Sequence, residues 1–267
     1  RKKSNELTDE QLLESYNFAI STLEKKKASQ KGNQKEIDKI NSTETQILNS
    51  LVKSISLECS SIESYFMPRY QASPDNYDLA NSIRLLLNKN DCDESSFYLE
   101  VVKYVSRHAP SAARFSYIAG IELNNNHIDS ATYYFNKALK IETESAEKSK
   151  LYFALARIEN KKGNKTEARV YARKVLATGH QKNEAYTYIG NLYFNSGNVC
   201  DSKDELIKRS IYIAAYFQYE KAGNSAKMAL AKAQFPSMED IFVQSKKEGQ
   251  VINTSCWINE DVPLKKR

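Results

Sequence analysis

The chain of 267 residues contains only eight glycines and five prolines. Sheet-rich folds use these two residues to build many tight turns, so their scarcity favours helices. The sequence also has no stretch near the ~18 consecutive apolar residues that a membrane-spanning helix needs. We therefore predict an all-α protein whose chain does not span a membrane.

The short motifs of common catalytic sites are missing as well. There is no glycine-rich phosphate loop, no G-x-S-x-G and no H-E-x-x-H. His108, His127 and His180 lie near predicted turns, and none has a Cys, Ser or carboxylate partner at motif spacing. We expect turn or capping roles for them. The sequence thus predicts a protein that is not an enzyme and that carries no cofactor and no metal.

Charge of one sign is not concentrated anywhere in the chain. The 39 basic and 33 acidic residues leave a net charge of +6, and the basic residues occur in scattered pairs and triplets such as Lys25–Lys27. Such a distribution is typical of solvated helix faces and not of a nucleic-acid footprint. We expect no nucleic-acid partner.

Four cysteines, Cys59, Cys92, Cys200 and Cys256, include no C-x-x-C pair and no histidine at ligand spacing, which argues against zinc. Two interpretations stay open: buried thiols in a cytosolic protein, or disulfides. The second is favoured by the polar turns KNDCDES and GNVCDSKDE around Cys92 and Cys200, where nothing needs burial.

A repeated pattern is what the sequence does contain. Segments starting at Phe115, Tyr152 and Tyr186 each place an aliphatic residue three positions after the aromatic and a small residue at the fourth, and their starts are 37 and 34 residues apart. These positions share one helical face, and the small residue lets a neighbouring helix approach closely. A second helix supplies another small residue, Ala131 in the first copy and Ala168 in the second.

This pattern resembles the tetratricopeptide repeat (TPR), a helix-turn-helix unit of about 34 residues. The resemblance implies a right-handed TPR-like solenoid of helical hairpins. The third copy departs from the pattern after Asn198, and Glu122 and Glu159 replace the Tyr usual late in the first helix of copies one and two.

The remaining segments complete three predicted domains: an N-terminal helical cap over residues 1–73, a repeat array over 74–235, and a short helix with a β-hairpin over 236–267. Within the cap we predict helices over 9–30 and 35–67. Residues 74–110 are interpreted as a degenerate repeat. The alternating, β-branched tail from Gln250 predicts the hairpin, with its turn at residues 259–261.

A narrower resemblance rests on three features: Cys59 to Cys92 around a Phe66/Pro68/Pro74 stretch, the GN-x-C after the third repeat, and the tail motifs QFPSMEDIF, EGQ and CWINE. Together they are similar to a family of TPR proteins of the Bacteroidetes cell envelope, over most of residues 59–267. Members carry signal peptides and have no assigned activity. The resemblance implies the disulfide pairs Cys59–Cys92 and Cys200–Cys256. It also implies a periplasmic or other extracytoplasmic location, with a signal peptide removed before Arg1.

The repeat pattern also predicts which first-helix positions face a concave groove. These positions are Ser116, Gly120 and Leu123 in copy one, Lys150, Phe153, Arg157 and Asn160 in copy two, and Glu184, Thr187, Asn191 and Phe194 in copy three. Exposed aromatic and Arg side chains can anchor a peptide, and Asn can bond its backbone. The alternative is that the two phenylalanines are core residues and the polar side chains are merely solvated.

Three functions are compatible with these features. The first is an extracytoplasmic scaffold that binds a segment of an unidentified protein or peptide in the groove. The alternative is an accessory protein that binds an envelope glycan or a small molecule, with some of the 17 tyrosines as stacking surfaces. A third is self-association through the N-terminal helices, and the oligomeric state does not follow from the sequence.

Overall fold

The computed structural model describes residues 7–30 and 32–267, and their fold is all-α and TPR-like with a small C-terminal β-hairpin, which confirms the predicted fold class. Residues 1–6 and Lys31, which belong to the predicted N-terminal cap, lie outside the described residues. The elements found in the described ranges are α1 (Asp9–Ser29), α2 (Gln34–Ser54), α3 (Cys59–Ala72), α4 (Tyr77–Lys89), α5 (Ser96–His108), α6 (Ala112–Asn124), α7 (Ile128–Ile141), α8 (Ser145–Lys161), α9 (Lys165–Ala177), α10 (Lys182–Phe194), α11 (Glu205–Lys221), α12 (Ser225–Lys232), α13 (Met238–Val243), β1 (Val251–Asn253) and β2 (Asp261–Pro263).

The chain divides into two compact units, one ending at Asn126 and one beginning at His127. The first holds α1–α6, and the second holds α7–α13 with the β-hairpin. The boundary falls in the turn of the first predicted repeat, so the two helices of that repeat belong to different units. The predicted division at residues 73 and 235 stays a prediction.

The predicted helix over residues 35–67 is wrong, because the chain breaks between α2 and α3. Ile55 is fully buried in an extended conformation. Lys89 Nζ donates to the carbonyl oxygens of Val52, Lys53 and Ile55 at 3.1, 2.8 and 2.8 Å. A cation at the end of a helix satisfies carbonyls that have no partner within the helix. The stop signal for α2 is therefore supplied by α4, more than 30 residues away in sequence.

In the first unit, α4 and α5 form the predicted degenerate hairpin. Ser95 begins α5 by accepting a hydrogen bond from the Tyr98 backbone N–H at 2.9 Å. The Cys59 and Cys92 sulfurs lie at disulfide-bonding distance, with their Cα atoms 5.4 Å apart. This pair, which the narrower resemblance implies, connects the start of α3 to the turn that follows α4.

In the second unit, α8 and α9 form the central predicted hairpin. Gly163 takes φ +86°, a left-handed conformation that glycine adopts without steric cost. The Asn164 N–H reaches the Glu159 carbonyl at 2.8 Å and closes the end of α8. Ala156 on α8 and Ala168 on α9 are both fully buried. The small residues thus serve the close helix packing that the repeat pattern predicts.

The third repeat is completed after a long connection, at residues 195–204. Helix α11 packs back along α10, and Gly190 lies directly against the ring of Tyr219. The sequence pattern stops at Asn198, yet α11 takes the place of the second helix of the hairpin. Asp204 begins α11, with its Oδ1 accepting from the N–H groups of Leu206 and Ile207 at 2.9 and 3.2 Å.

The strands of the C-terminal β-hairpin pack against α11, and the loop between them contacts α9 and α10. Its strands pair antiparallel, with Ile252 opposite Val262. Arg169 on α9 donates to the carbonyls of Ile258 and Trp257 at 2.6 and 3.2 Å, and its guanidinium lies 5.1 Å from the Trp257 ring centroid. These bonds hold the loop at residues 254–260 that connects the two strands. The predicted turn at residues 259–261 covers only the end of this loop, because Asp261 already lies in β2 opposite Asn253.

The connection at residues 195–204 is fastened to the same turn. The Cys200 and Cys256 sulfurs lie at disulfide-bonding distance, with Cα atoms 5.6 Å apart. Trp257 Nε1 donates to Ser196 Oγ at 3.1 Å. Both cysteine pairs implied by the narrower resemblance are therefore present at bonding distance in the structure.

Candidate functional site

A cavity of about 580 Å³ opens on the second unit between α8, α10 and the turn from α11 to α12. Its lining comprises Phe153, Arg157, Asn183, Glu184, Thr187, Tyr188, Asn191, Ala222, Gly223, Asn224, Ser225 and Ala226. We call it the α8–α10 groove. Residues three and four positions apart share a helix face, which is why Phe153 with Arg157, and Glu184 with Thr187 and Asn191, reach the same space.

One wall of the groove is an aromatic ring beneath a cation. The Arg157 guanidinium carbon lies 5.1 Å from the centroid of the Phe153 ring. Phe153 is only 7% exposed and also packs on Val175 and Ala185, so it is a core residue with an edge in the groove. Arg157 is exposed, and it forms no ion pair among the described residues. Its position over a ring restricts the guanidinium while leaving its N–H donors free for a ligand.

Tyr188 supports this wall from α10. Its ring meets the Phe153 ring edge-on at 5.5 Å, and its hydroxyl donates to the Ala156 carbonyl at 2.9 Å. Burial raises the pKa of Tyr188 to about 12, against the opposing effect of nearby Arg157. The phenol therefore stays protonated as a donor, and it fixes the spacing between α8 and α10.

The side-chain amide of Asn191 is a polar group of the groove whose orientation is fixed by hydrogen bonds. Its Oδ1 accepts from Tyr219 hydroxyl at 3.0 Å and from Lys227 Nζ at 2.9 Å. A lysine ammonium can only donate, so the atom facing Lys227 must be the amide oxygen and the orientation of the amide is settled. The Nδ2 group makes no hydrogen bond within the described part of the chain. Asn191 thus offers two fixed N–H donors.

The structure brings five of the predicted groove residues together: Phe153, Arg157, Glu184, Thr187 and Asn191. It places the other predicted positions outside the groove. Lys150 is exposed and pairs with Glu147 at 2.6 Å, and Asn160 is exposed near the end of α8, beyond the groove.

Phe194 packs into the third hairpin and does not line the groove. Its ring lies edge-on to the Tyr212 ring on α11 at 5.3 Å. Helix α11, the second helix of the third repeat, covers this ring. The predicted copy-one residues Ser116, Gly120 and Leu123 belong to the first unit, in α6.

Sequence reasoning missed Asn183 and Tyr188. It also missed the turn at residues 222–226, between α11 and α12, which forms the third wall of the groove. Asn183 lies one turn before Thr187 on the same face, so helical spacing could have found it. The third wall could be predicted only if α11 were recognised as the second helix of the third repeat. The turn after it then occupies the place where a further repeat would begin.

Two searches of the described residues complete the description of the site. No cluster of three or more His, Cys, Asp and Glu side chains suited to a metal ion occurs among them. In the same ranges, no helix combines the length and the apolar character needed to cross a membrane.

No protein-family model matches the chain, and no curated protein matches it. Among solved structures, one crystal structure of MamA is 14% identical, with 73% of this chain and 96% of that chain covered and a TM-score of 0.44. A second MamA structure is 12% identical, with 79% and 94% covered and a TM-score of 0.43. With TM-scores below 0.5, these likenesses carry no functional weight.

Proposed function

We propose that the chain is a non-catalytic scaffold outside the cytoplasm, and that it binds an extended segment of another protein in the α8–α10 groove. The observation that carries the proposal is the convergence of a guanidinium stacked on Phe153 with the fixed amide of Asn191 in one open cavity. A peptide offers what these groups need, since its carbonyls accept from Asn191 and its acidic side chains pair with Arg157.

A glycan finds less support in the groove than a peptide. Carbohydrate binding by stacking needs an open aromatic face, whereas Tyr188 is the only tyrosine among the lining residues described. Its ring is packed against Phe153 and its hydroxyl is already bonded to Ala156. The Phe153 ring is covered by Arg157. We therefore favour the peptide.

The two cysteine pairs support the extracytoplasmic location in this proposal. Disulfides persist in oxidising environments such as the periplasm and are rare in the cytosol. The supporting experiment is non-reducing peptide mapping of the protein from its native cells, with free thiols blocked before digestion. Linked peptides for Cys59–Cys92 and Cys200–Cys256 are expected, and four blocked thiols would overturn the extracytoplasmic assignment.

The groove is tested by site-specific photocrosslinking in native cells. A photoreactive amino acid at Thr187, in the groove, should give a discrete protein adduct, identified by mass spectrometry. The matched control places the same amino acid at Asn160, which is exposed on α8 outside the groove. Arg157→Glu should remove the Thr187 adduct, because it reverses the charge of the free cation while leaving the buried Phe153 in place.

Truncating Phe153 itself would confuse the test. The ring is part of the core, and Phe→Ala in a core costs about 3–5 kcal/mol, so lost binding could reflect lost folding. Adducts of equal yield at Thr187 and Asn160, or an adduct indifferent to Arg157→Glu, would remove the groove from the function. Saturable thermal stabilisation by a glycan, abolished by Arg157→Glu, would instead establish the accessory-protein alternative.

A further inference from the structure

The short helix α13 carries an exposed apolar cluster that no function described above uses. Phe242 is 81% exposed, Val243 74% and Met238 53%, while Ile241 of the same helix is buried. We call Met238, Phe242 and Val243 the α13 tip. Ser237 and Asp240 cap the helix reciprocally, so the tip is held on an ordered element. Single exposed apolar residues are ordinary, but three on six residues indicate a surface that meets something.

Basic residues from two further segments surround the tip. Lys246 and Lys247 lie shortly after the end of α13 and line an apolar cavity of about 460 Å³ beside Met238 and Phe242. The Arg267 backbone N–H donates to the Pro236 carbonyl at 3.2 Å, which brings Arg267 next to the start of α13. Lys265 lies over the Tyr216 ring on α11 instead.

The acidic groups nearby are already engaged for the most part. Glu248 pairs with Lys266 at 3.2 Å. Hydrogen bonds from the Ser237 backbone and side chain lower the pKa of Asp240, helped by Arg209 and Arg267. Lys246 and Lys247 form no ion pair in the ranges that the structure describes. The tip is therefore apolar at its centre and net positive at its rim, where Lys246 and Lys247 outweigh the exposed carboxylate of Glu239.

We propose that the α13 tip binds the surface of an anionic phospholipid bilayer. Phe242 and Val243 would enter the interfacial region, and Lys246 and Lys247 would contact lipid phosphates, since apolar insertion and basic contacts act together in peripheral membrane binding. Consecutive helical residues point about 100° apart, so Phe242 and Val243 together present a broad apolar surface. A soft lipid surface covers both at once.

The test is co-sedimentation of the full chain with phosphatidylcholine vesicles, with and without phosphatidylglycerol. Binding is expected only to the anionic vesicles and should fall in 0.5 M salt, because screening weakens contacts to a charged surface. Phe242→Ser with Val243→Ser should lower the bound fraction, and Lys246→Gln with Lys247→Gln should lower affinity by about tenfold or more.

Each pair of substitutions has a matched control in the same unit. Leu230→Ser changes a residue that is 60% exposed on α12. Lys148→Gln with Lys182→Gln removes two charges at the starts of α8 and α10. Neither control should alter vesicle binding. The tip variants should keep the circular dichroism and thermal midpoint of the parent, because the altered side chains are exposed.

A direct reading of insertion comes from Phe242→Trp. Its fluorescence should shift to the blue with anionic vesicles, whereas the parent, whose single tryptophan is the half-buried Trp257, should not change. The proposal falls if the parent ignores anionic vesicles or if controls and tip variants lose binding equally. It also falls if light scattering shows a dimer that Phe242→Ser abolishes, since a second copy would then cover the tip.

Discussion

Gly190→Ala is expected to destabilise the second unit although alanine is the better helix former. A Cβ atom at Gly190 would lie 2.5 Å from Cε1, 2.7 Å from Cδ1 and 3.1 Å from Cζ of Tyr219. Carbon atoms pack best at about 3.5–4.0 Å, so the ring or the helix must move by roughly 1 Å. Tyr219 is only 2% exposed, and its hydroxyl is bonded to Asn191 at 3.0 Å, so the ring has no open direction to move.

The magnitude follows from two opposing effects. Overpacking a core costs about 1–3 kcal/mol, and the immobile ring places this site near the upper end. Replacing a helical glycine by alanine returns about 1 kcal/mol. We therefore expect the free energy of unfolding to fall by about 2 kcal/mol. This change in the free energy of unfolding is measured by urea denaturation, followed by the fluorescence of Trp257, which lies in the same unit.

Gly120→Ala is the matched control in the first unit. Gly120 is also a helical glycine, but a Cβ there would meet nothing within 4 Å. The same substitution should therefore stabilise, by about 0.4–1 kcal/mol, as judged by circular dichroism. If Gly190→Ala is neutral or stabilising, or if Tyr219→Leu does not relieve its cost in a double-mutant cycle, the contact does not hold the third hairpin as inferred.

Two further predictions concern the connection and the start of α11. Asp204→Ala should cost about 1–2 kcal/mol as a lost helix cap. Burial acts to raise the pKa of Asp204, but hydrogen bonds from Gln244 and from the backbone of Ile207 and Leu206 outweigh it and lower the pKa. Its contribution is thus present above the unfolded pKa of ~3.9 and lost as pH falls through the folded value, so Asp204→Asn should flatten this part of an acid titration of stability. Cys200→Ser with Cys256→Ser opens a loop whose ends are 56 residues apart. A loss of up to about 4 kcal/mol is expected by the chain-entropy relation, and the wild type in reductant should match the variant.

The helical hairpins were predictable because they depend on local periodicity. Aromatic, aliphatic and small residues at fixed spacing predict α8 with α9, and Ala156 and Ala168 are buried as the pattern requires. The cysteine pairs were not predictable from spacing, and only the resemblance to an envelope family implied them. The β-hairpin itself was predictable from the alternating, β-branched tail, although the pairing of Ile252 with Val262 was not.

The parts that escaped prediction are those fixed by distant residues. Helix α2 ends where Lys89 meets its last carbonyls, and no signal near Ser54 reports a side chain from α4. The exposure of Phe194 was overestimated because α11 covers it, after a connection that hides the repeat period. Phe153 agrees with the second alternative stated for it, because it is a core residue and only an edge of its ring reaches the groove.

Tyr219 contributes both to the packing of the third hairpin and to the groove, because its ring contacts Gly190 and its hydroxyl bonds to Asn191. Burial raises the pKa of Tyr219 to about 12, so its hydroxyl remains a donor and, together with Lys227, fixes the Asn191 amide. A ring displaced by Gly190→Ala would loosen one of these two bonds and release the amide orientation on which the proposed peptide binding depends. The Thr187 photocrosslink should therefore weaken in Gly190→Ala although no groove residue is changed. A crosslink of undiminished yield, in a variant shown to be destabilised, would mean that Lys227 alone orients Asn191.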